Sequence, residues 1–342
     1  MPGPFNATVY SASLHSTSHG ENALLAKPTV VLFDELIEMI LSWVHPSKVF
    51  RYRVLSRIFD ARITSSLHFA TLNLSRFMVP LGKGSAPTEL TLSSNTINIF
   101  DKLWWNSWPK NYKAIYSTNF IHSIYKIEWC RVRTLDAPIP CQIGNLLNLT
   151  HLDLTDSNLT GTIPQDLMKL TKLRFLSLAL NKLEGEIPSE IGNLVHLTML
   201  YLETNEFTGT IPSSIGKLKK LQYLYLHSTN LTGPIPDTIG DLTQLERLTL
   251  RQNNHSGPLP LSLFNLRNLH LLYLYGNRLS GEIPKEIGNL RRLQNLKLGY
   301  NDLEGMVPRE LLNLVPGLIE CDLVGNPRLR CDFHVIPRVI HL

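Results

Sequence analysis

The chain has 342 residues, of which 43% are hydrophobic and 18% charged, and its formal net charge is +5. This charge is modest for the length, and basic residues do not concentrate in the repeated part of the chain, so nucleic-acid binding is not favoured. No run of about 18 apolar residues occurs, so we expect neither a membrane span nor a membrane partner. Residues 1–27 lack the basic start and apolar core of a secretory signal, and we expect a disordered tail there.

Residues 28–78 predict a small module of three short helices. Leu36, Ile40 and Val44 recur at helical spacing and would form one apolar stripe. Pro46 then opens a second helix, at a position where its missing N–H costs nothing. A third helix follows before the module ends.

This module resembles an F-box. The family pattern is L-P-x-E-L, followed after 8 to 12 residues by L-x-x-x-x-V-S-x-x-W, and here Phe33 stands for the proline and Phe59 for the tryptophan. The resemblance implies that a Skp1-like adaptor, and through it a cullin complex, binds an apolar face made of Leu32, Leu36, Ile40, Val49, Phe50, Leu55 and Phe59. The alternative is a helical cap that only shields the end of the repeats.

Two segments connect this module to the repeats. Residues 79–98 are rich in Gly, Ser, Thr and Pro, which predicts a linker. Residues 99–123 contain Trp104, Trp105 and Trp108, which we expect to cover the open apolar end of the first repeat. A ligand-stacking cluster is the alternative interpretation of these tryptophans.

The rest of the chain is periodic. Eight prolines recur every 24 residues, at Pro140, Pro164, Pro188, Pro212, Pro236, Pro260, Pro284 and Pro308. Each unit carries L-x-x-L-x-L, as at Leu149, Leu152 and Leu154, which predicts a short strand with leucines pointing inward. Residues 124–330 therefore predict a solenoid, with worn copies at both ends and a C-terminal cap at 331–342.

An asparagine recurs after each predicted strand, at Asn181, Asn205, Asn253, Asn277, Asn301 and Asn326. We expect each to point inward and to bond backbone groups that the curved turn leaves unpaired. Ser157 and Thr229 replace the asparagine in two units.

The repeated string L-T-G-x-I-P-x-x-I-G-N-L resembles the plant-type leucine-rich-repeat class. The resemblance implies an α/β repeat solenoid, curved, with a parallel sheet on its concave side and a protein or peptide partner bound there. Extracellular members carry paired cysteines in a cap before the first repeat, a pattern that Cys130 and Cys141 do not show. Because the chain has only four cysteines, we expect a reduced, cytoplasmic or nuclear location.

The outward strand positions are unusually aromatic. Tyrosine gives a large contact area with a polar tip, as at interface hot spots, so we predict a partner-binding face there. The alternative is that tyrosine simply favours strands. The predicted residues are Phe175, Tyr201, Tyr223, Tyr225, Arg247, Arg251, Tyr273, Tyr275 and Tyr300.

No set of residues predicts catalysis, a metal site or a cofactor. His151 and His227 lie three repeats apart, about 14 Å, too far to share a metal. We therefore expect a non-catalytic receptor, and favour the substrate-recognition subunit of a cullin-type ubiquitin ligase that binds a protein substrate on the concave face. A scaffold or ligand-binding repeat protein with no ubiquitin role is the second hypothesis, and a secreted receptor-like protein is the third.

Overall fold

The structure, a computed structural model, describes residues 90–93, 124–131 and 137–342. The predicted tail, the F-box-like module and the predicted N-terminal cap lie outside the described residues, and so do all seven predicted adaptor-binding residues. Part of the predicted linker is a strand instead, because the alternating string Leu90–Ser93 pairs in parallel with Ile124–Glu128.

The main sheet has eleven strands, all of which pair in parallel with their neighbours in the order that the repeats follow. Each strand lies one coil of the solenoid after the previous one, which is why strands 24 residues apart in the chain are hydrogen-bonded neighbours. The strands are β1 (Leu90–Ser93), β2 (Ile124–Glu128), β3 (His151–Asp153), β5 (Phe175–Ser177), β7 (Met199–Tyr201), β9 (Tyr223–Tyr225), β11 (Arg247–Thr249), β13 (Leu271–Tyr273), β15 (Asn295–Lys297), β17 (Glu320–Asp322) and β19 (Ile340–His341).

Eight shorter strands form two further parallel sheets on the path that leaves the main sheet. A three-stranded sheet is followed by a five-stranded one, so the second row is interrupted midway along the solenoid. The strands are β4 (Thr160–Gly161), β6 (Lys182–Glu186), β8 (Glu206–Thr208), β10 (Thr232–Gly233), β12 (Asn254–Gly257), β14 (Arg278–Glu282), β16 (Asp302–Met306) and β18 (Arg328–Arg330).

The side opposite the main sheet consists of 3₁₀ helices. Each begins directly after a periodic proline, whose extended backbone ends the preceding segment. The predicted α/β class is thus realised with single short turns, because only five or six residues are available before the next strand must begin. The helices are Cys141–Asn145, Gln165–Lys169, Ser189–Asn193, Ser213–Lys217, Asp237–Asp241, Leu261–Asn265, Lys285–Asn289 and Arg309–Leu314. Within the described residues, no helix is long and apolar enough to cross a membrane.

One continuous apolar core runs through the coils, as the leucine pattern predicts. Leu149, Leu152 and Leu154 are fully buried, and so are their equivalents in the following repeats. The two worn copies join the same core, because Trp129 is buried at the start and Cys321 replaces a strand leucine at the end. The C-terminal cap closes the array through β19, which pairs with β17.

The predicted asparagine ladder is confirmed. Asn181 accepts hydrogen bonds from the N–H groups of Ser157 and Leu159, both at 3.0 Å, and its amide donates to the carbonyl of Leu154 at 2.9 Å. Equivalent bonds follow at Asn205, Asn253, Asn277, Asn301 and Asn326. In the unit without an asparagine, the Thr229 hydroxyl donates instead to Asn253 Oδ1 at 2.5 Å. The ladder ties neighbouring coils together and fixes the backbone from which the concave side chains project.

Candidate binding surface on the concave sheet

Parallel register arranges the outward side chains of the main sheet in columns. Phe175 pairs with Met199, Met199 with Tyr223, and Tyr223 with Arg247, so these residues lie side by side on adjacent strands. Ser177, Tyr201 and Tyr225 form the next column in the same way. Eight of the nine predicted partner-binding residues lie on or immediately after the strands of this face, where the register puts them.

Tyr300 is the exception, and its predicted strand position is wrong. The strand of its repeat ends at Lys297, and Tyr300 lies in the following turn with a left-handed backbone, φ 52°. Its ring covers Gly325 of the next coil, where an added Cβ would come within 2.8 Å of Tyr300 Cδ1. Tyr300 therefore borders the concave face rather than lying on it.

A cleft of about 330 Å³ opens between Tyr300 and the face. It is lined by Gln252, Tyr275, Gly276, Lys297, Tyr300 and Asp322. The glycine leaves room that a side chain would occupy, and the two tyrosine rings supply apolar walls. The cleft has the size of a single side chain of a bound partner.

Four aromatic rings form a continuous row across four adjacent strands. His151 stacks on Phe175 with ring centroids 4.0 Å apart, Phe175 meets Tyr201 edge-on at 5.6 Å, and Tyr201 lies 4.9 Å from Tyr225. We call His151, Phe175, Tyr201 and Tyr225 the aromatic row. Rings held against each other lose little conformational freedom when a partner covers them, which favours binding.

The arginines continue the surface beyond the aromatic row. Arg247 lies over the Tyr223 ring at 5.6 Å, and Arg251 lies over Tyr275 at 5.7 Å and donates to its hydroxyl at 3.1 Å. Within the described part of the chain, neither guanidinium forms an ion pair with a carboxylate. Lys297 differs, because it pairs with Glu320 at 2.8 Å. The centre of the face thus presents two cations held by tyrosines and available to an acidic group.

Two polar residues that the sequence analysis did not select lie beside this centre. Glu203 Oε2 and His227 Nδ1 are buried and make no hydrogen bond among the described residues. Burial raises the pKa of Glu203 to about 7, although its own backbone N–H and Arg251 act in the opposite direction. Burial, reinforced by the charge of Arg251, lowers the pKa of His227 to about 4. Such unsatisfied groups destabilise the free protein and are typical of binding sites.

Glu203 gives a pH-dependent prediction. Its folded pKa lies above the ordinary value of 4.5, so its contribution to stability is present below pH 4.5 and is lost as the pH rises to about 7. Glu203→Gln should therefore stabilise the protein by about 1–2 kcal/mol at pH 8, after allowance for solvent screening, and change little at pH 5. Urea unfolding at both pH values, with the exposed Glu206→Gln as control, measures this difference. A stabilisation that is the same at both pH values would contradict it.

Comparisons with known proteins agree with this architecture. Residues 152–259 match a family model described as a leucine-rich repeat region, and residues 268–290 match the Leucine Rich Repeat model. None of the curated proteins matches this chain. The matched segments are leucine-rich repeats, stacked as a parallel-strand solenoid.

Several solved structures share the fold. The ectodomain of the plant membrane receptor kinase GASSHO1/SCHENGEN3 from Arabidopsis thaliana, in complex with CASPARIAN STRIP INTEGRITY FACTOR 2, is 38% identical over 57% of this chain, with TM-score 0.55. The Arabidopsis receptor kinase HAESA, in complex with the peptide hormone IDA and the co-receptor SERK1, is 33% identical over 60% of this chain, with TM-score 0.55. This chain covers only 23% and 38% of those two chains. A leucine-rich-repeat protein of Leptospira interrogans is 29% identical, with TM-score 0.52, over 62% of this chain and 61% of its own.

Proposed function

We propose that this protein is a non-catalytic receptor that binds an extended segment of a protein partner along its concave sheet. The observation that carries the proposal is the aromatic row, in which four rings are in contact across four successive strands. Receptors with the same fold provide support, because HAESA and RGFR1 were solved with peptide hormones.

The dimensions of the face suit such a segment. Adjacent strands lie about 4.8 Å apart, so the distance from Phe175 on β5 to Tyr273 on β13 is about 19 Å. An extended peptide rises about 3.4 Å per residue and would cross these strands with about six residues. Its apolar side chains would meet the aromatic row, an acidic group would meet Arg247 and Arg251, and a last side chain would enter the cleft beside Tyr300.

Selection from displayed random dodecapeptides on the immobilised full-length chain tests this proposal. We expect a recurring pattern of apolar and acidic residues among the selected peptides, and weaker binding when Arg247→Gln and Arg251→Gln are combined. Exposed residues on the opposite side provide a control of equal charge change, Lys285→Gln with Arg309→Gln. Peptides that bind both double variants equally weakly, or that show no common pattern, would contradict the proposal.

The F-box resemblance gives the finer proposal of a substrate-recognition subunit in a cullin-type ubiquitin ligase. Its support is the sequence pattern at 28–78, and the role of the protein would be to hold its partner near the ligase rather than to perform chemistry. We expect the wild-type chain to recover a Skp1-like adaptor in a pull-down, and Leu36→Asp with Ile40→Asp to abolish the recovery. The concave variant Tyr201→Ser with Tyr225→Ser should recover the adaptor as the wild type does.

The outcomes of that pull-down separate the hypotheses. Equal recovery with and without the aspartates would contradict the assigned adaptor face. No recovery by the wild type would favour a scaffold or ligand-binding role without a ligase. For the location we propose the cytoplasm or nucleus, and glycans on the sequons at Asn148, Asn158 or Asn230 would instead indicate a secreted, receptor-like protein.

A further inference from the structure

A second, basic pocket lies beside the concave face, at the edge where the chain enters the strands. Its volume is about 410 Å³. It is lined by Thr150, Lys172, Arg174, His196, Thr198 and Lys220. Arg174 directly precedes Phe175, so the pocket adjoins the start of the aromatic row.

Stacking of three coils assembles this pocket from residues that are remote in the chain. Lys172, His196 and Lys220 are 24 residues apart and occupy the same position of successive repeats. Lys220 Nζ lies 3.1 Å from His196 Nδ1. The wall beneath them is fixed, because the Thr198 hydroxyl donates to the Arg174 carbonyl at 2.9 Å. The three cationic side chains are therefore gathered on an ordered backbone.

The charges of this pocket are not neutralised by the described residues around it. None of its lining residues is acidic, and Lys172 bonds only to the neutral side chain of Asn148, at 2.8 Å. The carboxylates nearby serve other lysines, since Asp166 pairs with Lys169 and Asp241 with Lys219. Like charges placed together without a counter-charge repel one another, and an anion relieves this repulsion.

The solenoid does not require these cations. The position held by Lys172, His196 and Lys220 is taken by Gln244 and Asn268 in the next two repeats, which fold in the same way. The basic cluster is thus particular to three coils, the same coils that carry Phe175, Tyr201 and Tyr225.

We propose that this pocket binds a phosphate monoester carried by the protein segment that lies on the aromatic row. This inference rests on the proposed function. Two ammonium groups and one guanidinium match the double charge and the several acceptor oxygens of a phosphorylated side chain better than a carboxylate. The partner would then be recognised only after phosphorylation, with the aromatic row reading its sequence and the basic pocket its modification.

Two degenerate peptide libraries, with phosphoserine or serine fixed at the centre, test the proposal on the immobilised full-length chain. We expect the wild type to retain the phosphoserine library about tenfold more than the serine library. Lys172→Gln with Lys220→Gln should reduce this preference to about twofold or less. Arg291→Gln with Arg292→Gln removes the same charge from two exposed arginines elsewhere and should leave the preference unchanged. Circular dichroism checks that each variant is folded, and Lys172→Met with Lys220→Met replaces any that is not.

Three results would overturn the inference. The first is equal retention of both libraries by the wild type. If this occurs while retention still depends on Tyr201 and Tyr225, the receptor function holds and only the phosphate site is wrong. The second is an equal loss of preference in both double variants, which would indicate non-specific attraction. The third is binding of phosphatidic acid vesicles through Lys172 and Lys220 without retention of the phosphoserine library, which would assign the pocket to a lipid.

Discussion

Replacing Tyr201 and Tyr225 together with serine is expected to weaken binding of a peptide selected on the wild-type chain by about a hundredfold. These two rings are in contact at the inner end of the aromatic row, 4.9 Å apart. Their loss removes apolar contact area and also the neighbours that hold the Phe175 ring in place. The fold should persist, because the inward partners Leu200 and Leu224 remain buried in the core.

Isothermal titration with the selected peptide measures this change. The control is Leu261→Ser, which removes a comparably large, exposed apolar side chain from a 3₁₀ helix on the opposite side. A loss of affinity below about threefold in the tyrosine variant would place the binding energy elsewhere, as would an equal loss in the control.

The second large effect is on stability, and it arises from the contact between successive 3₁₀ helices. Gly240 lies in the helix Asp237–Asp241 with no space beside it, since an added Cβ would be 2.3 Å from the Ser262 carbonyl oxygen. The next helix cannot yield easily, because Leu263 anchors it in the core. We expect Gly240→Ala to destabilise the protein by about 3 kcal/mol, through overpacking between coils.

Gly257→Ala is the matched control, because this glycine is required for a different reason. Its backbone is left-handed, φ 81°, but the nearest atom to an added Cβ is 3.8 Å away. Only backbone strain remains, at about 1–2 kcal/mol. Urea unfolding of the two variants compares the costs. A Gly240→Ala variant as stable as Gly257→Ala would show that the coils are not packed as closely as the structure indicates.

Much of the fold follows from the sequence because the same short rules repeat in every coil. The leucine spacing at Leu149, Leu152 and Leu154 predicts the buried side of the strand, and the asparagine after each strand predicts the ladder. Both features are local, so one repeat is enough to identify them. The strand Leu90–Ser93 escaped prediction because its Gly- and Ser-rich surroundings are typical of a linker.

The site is less predictable, because its properties depend on neighbouring coils. The strands are three residues long, so Tyr300 falls in the turn although it follows Lys297 by only three positions. Burial of Glu203 comes from side chains on adjacent strands and changes its pKa without any trace in its own segment. The basic pocket likewise draws on Lys172 and Lys220, which are 48 residues apart. Reading each repeat beneath the next, column by column, is the signal that would have found both.

The proposed receptor function is tested most directly by photocrosslinking from single positions of the full-length chain in cells that express it naturally. Benzoylphenylalanine is placed at Tyr225 on the concave face or at Lys285, which is exposed on the opposite side. We expect a discrete protein adduct from position 225 that disappears when Tyr201→Ser is added, and none from position 285. Adducts from position 285 alone, or adducts at 225 that are indifferent to Tyr201→Ser, would contradict a partner-binding concave face.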